Sequence, residues 1–197
     1  MKTAIKLVLV YFVAQALSAL AVKALTTVQA NVAGDAGTPV TLALFLSFIL
    51  MGAYLWKNGY ISTDRRTWSP VSIVYLAFTV LACLTSILII EYLQMLMPKL
   101  PDLMENAFDA LLSGWPGILS IAVFGPVLEE LMFRGAITAA LLKKYGPMKA
   151  IVLSALVFGI IHINPAQVIT ATLIGLLLGW IYYKTASLIP CILIHIL

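Results

Sequence analysis

Apolar runs about twenty residues long follow one another through almost the whole of this chain, and that length is what a helix needs to cross a bilayer. They cover approximately residues 4–25, 39–56, 70–90, 115–142, 150–163, 167–183 and 188–197. Composition agrees: 62% of the 197 residues are apolar, 10% are charged, and the mean hydropathy is +1.06. A water-soluble domain needs far more polar surface. In lipid every backbone polar group must be satisfied within the protein, so only helices or a closed barrel can span. The runs do not alternate at period two, which excludes barrel strands and leaves helices. The fold expected is an all-α polytopic membrane bundle with about seven candidate spans. The last run is too short to cross alone, which leads to the expectation that the natural chain continues past Leu197. The first run also resembles a signal peptide, but it is long for one and many spans follow it.

Loop charges give an orientation. With the N-terminus in the cytoplasm, Lys2, Lys6, Lys57, Arg65, Arg66, Lys143, Lys144, Lys149 and Lys184 all fall on the inner side. Lys23 and Lys99 then lie near the outer face, with Asp35, Glu91, Asp102, Glu105 and Asp109; Asp64 is an inner acidic residue. Trp56, Trp68, Trp115 and Trp180 fall near span ends, where interfacial anchors belong. The segment 91–113 has Pro98 and Pro101 followed by Leu103, Met104, Ala107, Phe108, Leu111 and Leu112. It reads as an amphipathic helix on the outer face or as a loop ending in a short helix. The chain thus divides into N-terminal spans with this segment, 1–114, and a C-terminal membrane core, 115–197. The basic residues form no dense block, so nucleic acid is not an expected partner; membrane lipid is. Cys83 and Cys191 lie in apolar runs and read as small packing residues.

Ionisable groups in hydrocarbon are costly unless paired or hydrated, so their positions mark function. The run 115–142 contains Glu129, Glu130 and Arg134. Glu130 and Arg134 are four apart on a helix and share a face, so they can pair. Glu129 is turned about 100° away and has no partner in its own helix. A buried carboxyl beside water suits general acid or base work. Both histidines of the chain, His162 and His195, also sit in or at the edge of apolar runs. Asn164 and Gln167 flank Pro165 and read as turn residues, with Asn164 close to His162. Gly175 and Gly179 read as a close-packing pair.

These residues resemble the CAAX protease and bacteriocin-processing family, also called Abi. Its Glu-Glu-x-x-x-Arg motif is matched by Glu129, Glu130 and Arg134, and its Phe-x-x-x-His motif by Phe158 and His162. A late histidine followed by asparagine is matched at His195, with no asparagine before the chain stops at Leu197. The resemblance covers about 115–197. It implies an intramembrane endopeptidase of the glutamate type, without a metal. Glu129 with His162 would activate water and His195 would stabilise the oxyanion. Glu130 and Arg134 would support the site, and Phe158 would help fix the His162 ring. The implied substrate is a small peptide or a lipidated protein: a CAAX-type C-terminus, or a bacteriocin or signalling precursor, with self-immunity as a related role. The compact chain points to a bacterial cell membrane. A zinc site of Glu129, His162 and His195 is a second enzymatic reading. A proton-coupled transporter or a membrane scaffold is the non-enzymatic one.

Overall fold

The computed structural model describes residues 1–28 and 37–197. Asp35, one of the acidic residues assigned to the outer side, lies outside the described residues. The described chain is helical, with no strand among those residues. Helix α1 runs Lys2–Val28, α2 Gly37–Lys57, α3 Ile73–Met95 and α4 Glu105–Leu112. A continuous helical rod, α5, covers Trp115–Leu142. Helices α6 (Pro147–Ile160), α7 (Pro165–Thr185) and α8 (Ile189–Ile196) complete the described chain. Prolines at the starts of α5, α6, α7 and α8 fit there because a first-turn N–H has no helical partner anyway.

Among the described residues five helices, α1, α2, α3, α5 and α7, are long and apolar enough to cross a membrane. The protein is a multi-pass membrane protein. Two of the seven expected spans come out shorter, because Pro147 and Pro165 bound α6 and Pro190 opens α8. At a rise of about 1.5 Å per residue, the 14 residues of α6 reach only about 21 Å of a hydrocarbon core about 30 Å thick. The lysines at its start, Lys143, Lys144 and Lys149, belong at an interface. The turn after α6, which carries His162, therefore comes before a full crossing length is reached.

The segment 91–113 divides. Residues up to Met95 continue α3, since nothing breaks the helix before Pro98. Only α4 is a separate helix; it buries Leu111 and packs against α2.

Two apolar clusters meet along α5. One joins α1, α2, α5 and α6 through Leu7, Met51, Leu55, Phe133, Ile137 and Phe158. The other joins α3, α7 and α8 through Cys83, Leu178, Ile181, Leu188, Cys191 and Ile194. Both cysteines are free, buried thiols. Helices α6 and α7 pack so closely that a Cβ on Gly159 would collide with the Val168 carbonyl and the Thr172 hydroxyl. Gly175 lies against Ala155 and Phe158 for the same reason, and Gly179 against Ile151. Helix α8 is anchored at its start: Leu188 N–H donates to the Thr67 carbonyl (2.8 Å), and the Ser187 hydroxyl donates to the Ser69 carbonyl (2.6 Å). That anchor fixes where His195, two turns on, points.

Candidate active site

The α5 rod is not uniform. The turn Gly125–Glu130 is α-helical, but it lies between two π-helical stretches, Ser120–Phe124 and Leu131–Thr138. Such widened turns are rare and occur frequently at functional sites. Glu129 and Glu130 end the α-helical turn between them.

Glu130 and Arg134 pair as their spacing predicts: Arg134 Nη1 donates to Glu130 Oε1 at 2.7 Å. Both side chains are buried, at 0% and 1% exposure. The pair is held from outside α5 as well. Arg134 Nη2 donates to the Gly175 carbonyl of α7 (3.2 Å), and the guanidinium lies 4.7 Å from the centre of the Phe158 ring. Because glycine lets α7 approach closely, the Gly175 carbonyl comes within reach of the arginine.

His195 connects the two glutamates. Its Nδ1 lies 2.8 Å from Glu130 Oε1, and its Nε2 lies 3.7 Å from Glu129 Oε2. A carboxylate only accepts, so Nδ1 carries the hydrogen and donates to Glu130. Nε2 then faces Glu129. Glu130 therefore does more than pair with Arg134: it also fixes the ring of the late histidine. Glu129 and His195 keep 19% and 18% of their side-chain surface open.

His162 is held differently. Its Nδ1 is 2.8 Å from the Phe158 carbonyl, one turn earlier in α6, so the hydrogen again sits on Nδ1 and Nε2 is left as the acceptor. The Phe158 ring touches both histidines edge-on, at centroid distances of 5.1 Å to His162 and 5.7 Å to His195, and meets Phe133 at 4.9 Å. Phe158 is thus a common wall for both imidazoles and the guanidinium.

Glu129, His162 and His195 line one cavity of ≈ 270 Å³ with Tyr11, Ser120 and Gln167. A larger cavity, ≈ 490 Å³, reaches His162 and His195 from the α3 side, past Cys83, Ile87 and Ile174, with Glu91, Gln94 and Asp102 also in its wall. By sequence Gln167 reads only as a turn residue, and nothing there singles out Tyr11. Tyr11 accepts from Gln15 Nε2 at 2.9 Å, but no feature of α1 distinguishes that pair before the helices are packed. Asn164, a turn residue by sequence, is fully buried and bonded to residues of another segment. Among the described residues no three His, Cys, Asp or Glu side chains converge as metal ligands do.

Residues 111–197, which contain every one of these motif residues, match the family described as "Type II CAAX prenyl endopeptidase Rce1-like". This C-terminal core is Rce1-like. It carries the motifs whose resemblance is legible in the sequence. The chain is also 30% identical over 80 residues to the Bacillus subtilis (strain 168) protein named "Putative membrane peptidase YdiL". That stretch is 41% of this chain and 33% of the relative, so the likeness extends over about a third of the relative's length. No solved structure matches the chain. All three elements that carry the acidic and imidazole groups lie inside the Rce1-like core, while Tyr11 enters the same cavity from outside it.

Proposed function

We propose that this protein is an intramembrane endopeptidase in which Glu129 activates water for attack on a peptide bond. The observation that carries the reading is the convergence of Glu129, His162 and His195 from α5, the α6–α7 turn and α8 on one cavity among the apolar helices. A bilayer-embedded carboxyl and two imidazoles around a cavity of water-holding size are the groups hydrolysis needs. The match to a CAAX prenyl endopeptidase family and the likeness to a protein named as a membrane peptidase support the same reading.

In this mechanism the Glu129 carboxylate takes a proton from water as the oxygen attacks the scissile carbonyl, then returns it to the leaving amine. His162 Nε2, a free acceptor, helps orient that water. When the ring carries a proton on both nitrogens, His195 donates to the oxyanion from Nε2 while Nδ1–H stays on Glu130. Arg134 neutralises Glu130, and Phe158 holds both rings. The ≈ 490 Å³ cavity, apolar within and polar toward Glu91 and Asp102, suits an apolar or lipidated peptide entering beside α3. The substrate class is a small peptide or a lipidated protein C-terminus, and the location a bacterial plasma membrane with the N-terminus inside.

The test is cleavage by the protein in proteoliposomes, read by mass spectrometry on prenylated C-terminal peptides and on small apolar precursor peptides. Glu129→Gln is expected to lower turnover by about 100-fold or more. Undiminished cleavage by that variant ends the proposal. Loss of activity on chelation, restored by zinc, would instead favour metal chemistry at the same three residues.

A further inference from the structure

The backbone directly after His162 is strained. Ile163 has φ +53°, in the left-handed region. That conformation is sterically costly for an L-residue, and for a β-branched side chain it is a true outlier. The Ile163 side chain is 56% exposed, so its own packing does not hold it there.

The next residue does. Asn164 stands just before α7, where an asparagine usually accepts from the free N–H groups of the helix. It makes no such bond. Its side chain is buried and turned the other way, toward the segment between α3 and α4. Asn164 Oδ1 accepts from Leu103 N–H (3.0 Å), and Asn164 Nδ2 donates to Asp102 Oδ1 (2.8 Å). The same Asp102 oxygen accepts from Met104 N–H at 2.9 Å, which fixes the far side of the contact. Pro165 biases Asn164 to extended backbone, and its φ and ψ are −102° and 109°. The chain is therefore gripped on both sides of Ile163: by α6 through His162 N–H to the Gly159 carbonyl (3.2 Å), and by the Asn164 clamp.

We infer that Asn164 is a positioning residue for His162: its bonds to Asp102 and Leu103 hold the left-handed turn at Ile163 and so keep the His162 ring on the cavity. Without the clamp, Ile163 relaxes out of the left-handed region, the last turn of α6 loosens, and His162 loses its fixed bond to the Phe158 carbonyl. The catalytic consequence rests on the proposed protease reading. The geometry of the ring does not, and it can be measured separately.

The chain has two histidines, so nitrogen-15 NMR of the full chain labelled at histidine gives two imidazoles, and His195→Gln assigns them. In the unaltered protein His162 is expected as a single Nδ1–H tautomer. Asn164→Ala is expected to yield a broadened mixture with the Nε2–H form. Ile163→Gly added to Asn164→Ala restores the single tautomer, because glycine takes the left-handed conformation freely. Asp102→Ala, which removes the acceptor for Asn164 Nδ2 from the exposed side of the contact, is expected to give the same mixture and covers the case in which Asn164→Ala fails to fold. An unchanged His162 signal in Asn164→Ala or, where that does not fold, in Asp102→Ala, or no recovery on adding Ile163→Gly, overturns the inference. In a cleavage assay Asn164→Ala lowers kcat by about 100-fold with KM nearly constant, as misplacement of a reacting group does. If the unaltered protein cleaves nothing, the protease reading fails while the NMR result still decides this one.

Discussion

The N-terminal helices and the Rce1-like core differ in how most of their polar groups are satisfied, although Gln94 of α3 also reaches Thr170 of α7 at 2.7 Å. In α1, α2 and α3 the hydroxyls bond back to their own helix: Ser18 to the Ala14 carbonyl, Ser47 to Leu44, Thr79 to Tyr75, Thr85 to Leu81 and Ser86 to Ala82. In the core Ser120, Thr172 and Thr185 do the same, but the groups around the site bond across helices. Arg134 of α5 reaches Gly175 of α7, His195 of α8 reaches Glu130 of α5, and Thr138 of α5 shares a hydrogen bond with Ser154 of α6 at 2.7 Å. Burial divides the same way. In the most apolar 18 residues of α3, 17% are buried within the protein, against 44% in α5. A self-satisfied helix can lie against lipid on most sides. A helix that carries Glu and Arg must be covered by its neighbours, and the covering places the site.

That contrast predicts a graded response to mutation. The largest loss is expected for Arg134→Ala, which leaves Glu130 buried without its cation and should cost about 3–5 kcal/mol. Unfolding in detergent measures this; a loss under about 1 kcal/mol would mean the pair is not buried in solution as described. Gly175→Val comes next. A branched side chain against Ala155 and Phe158 should cost about 1–3 kcal/mol by overpacking and push the α7 carbonyl away from Arg134. Smaller still is the Thr138–Ser154 contact, for which a double-mutant cycle with Val and Ala should show coupling of about 0.6 kcal/mol. Ser86→Ala and Thr85→Val in α3 should change stability by no more than about 0.5 kcal/mol. If these exposed hydroxyls proved as sensitive as the core ones, the division between the two regions would fail.

Much of the site was legible because helical spacing is local. The Glu130–Arg134 bond joins residues one turn apart, and so does the contact of His162 with Phe158. The separation of Glu129 from that pair comes from the same geometry. The bond between His195 and Glu130 was not legible, because those residues are 65 positions apart and meet only when α8 docks on α5. The clamp from Asn164 to Leu103 spans 61 positions, and a polar residue beside Pro165 gives no sign of its partner. The π-helical turns around Glu129 are not signalled by the helical spacing either.

Residue order alone was enough to make the chain a set of membrane helices with a charged turn in one of them, and to set which charges pair within that turn. With barrel strands excluded by the lack of alternation, hydrocarbon leaves only helices to satisfy the backbone, and a helix sets residues four apart side by side. Packing was needed to hold one imidazole between two carboxyls. It was needed too for hanging a second imidazole on a strained turn, and for bringing Tyr11 to them from outside the Rce1-like core. Those contacts depend on how closely the helices approach, which glycines and buried hydrogen bonds set across the bundle.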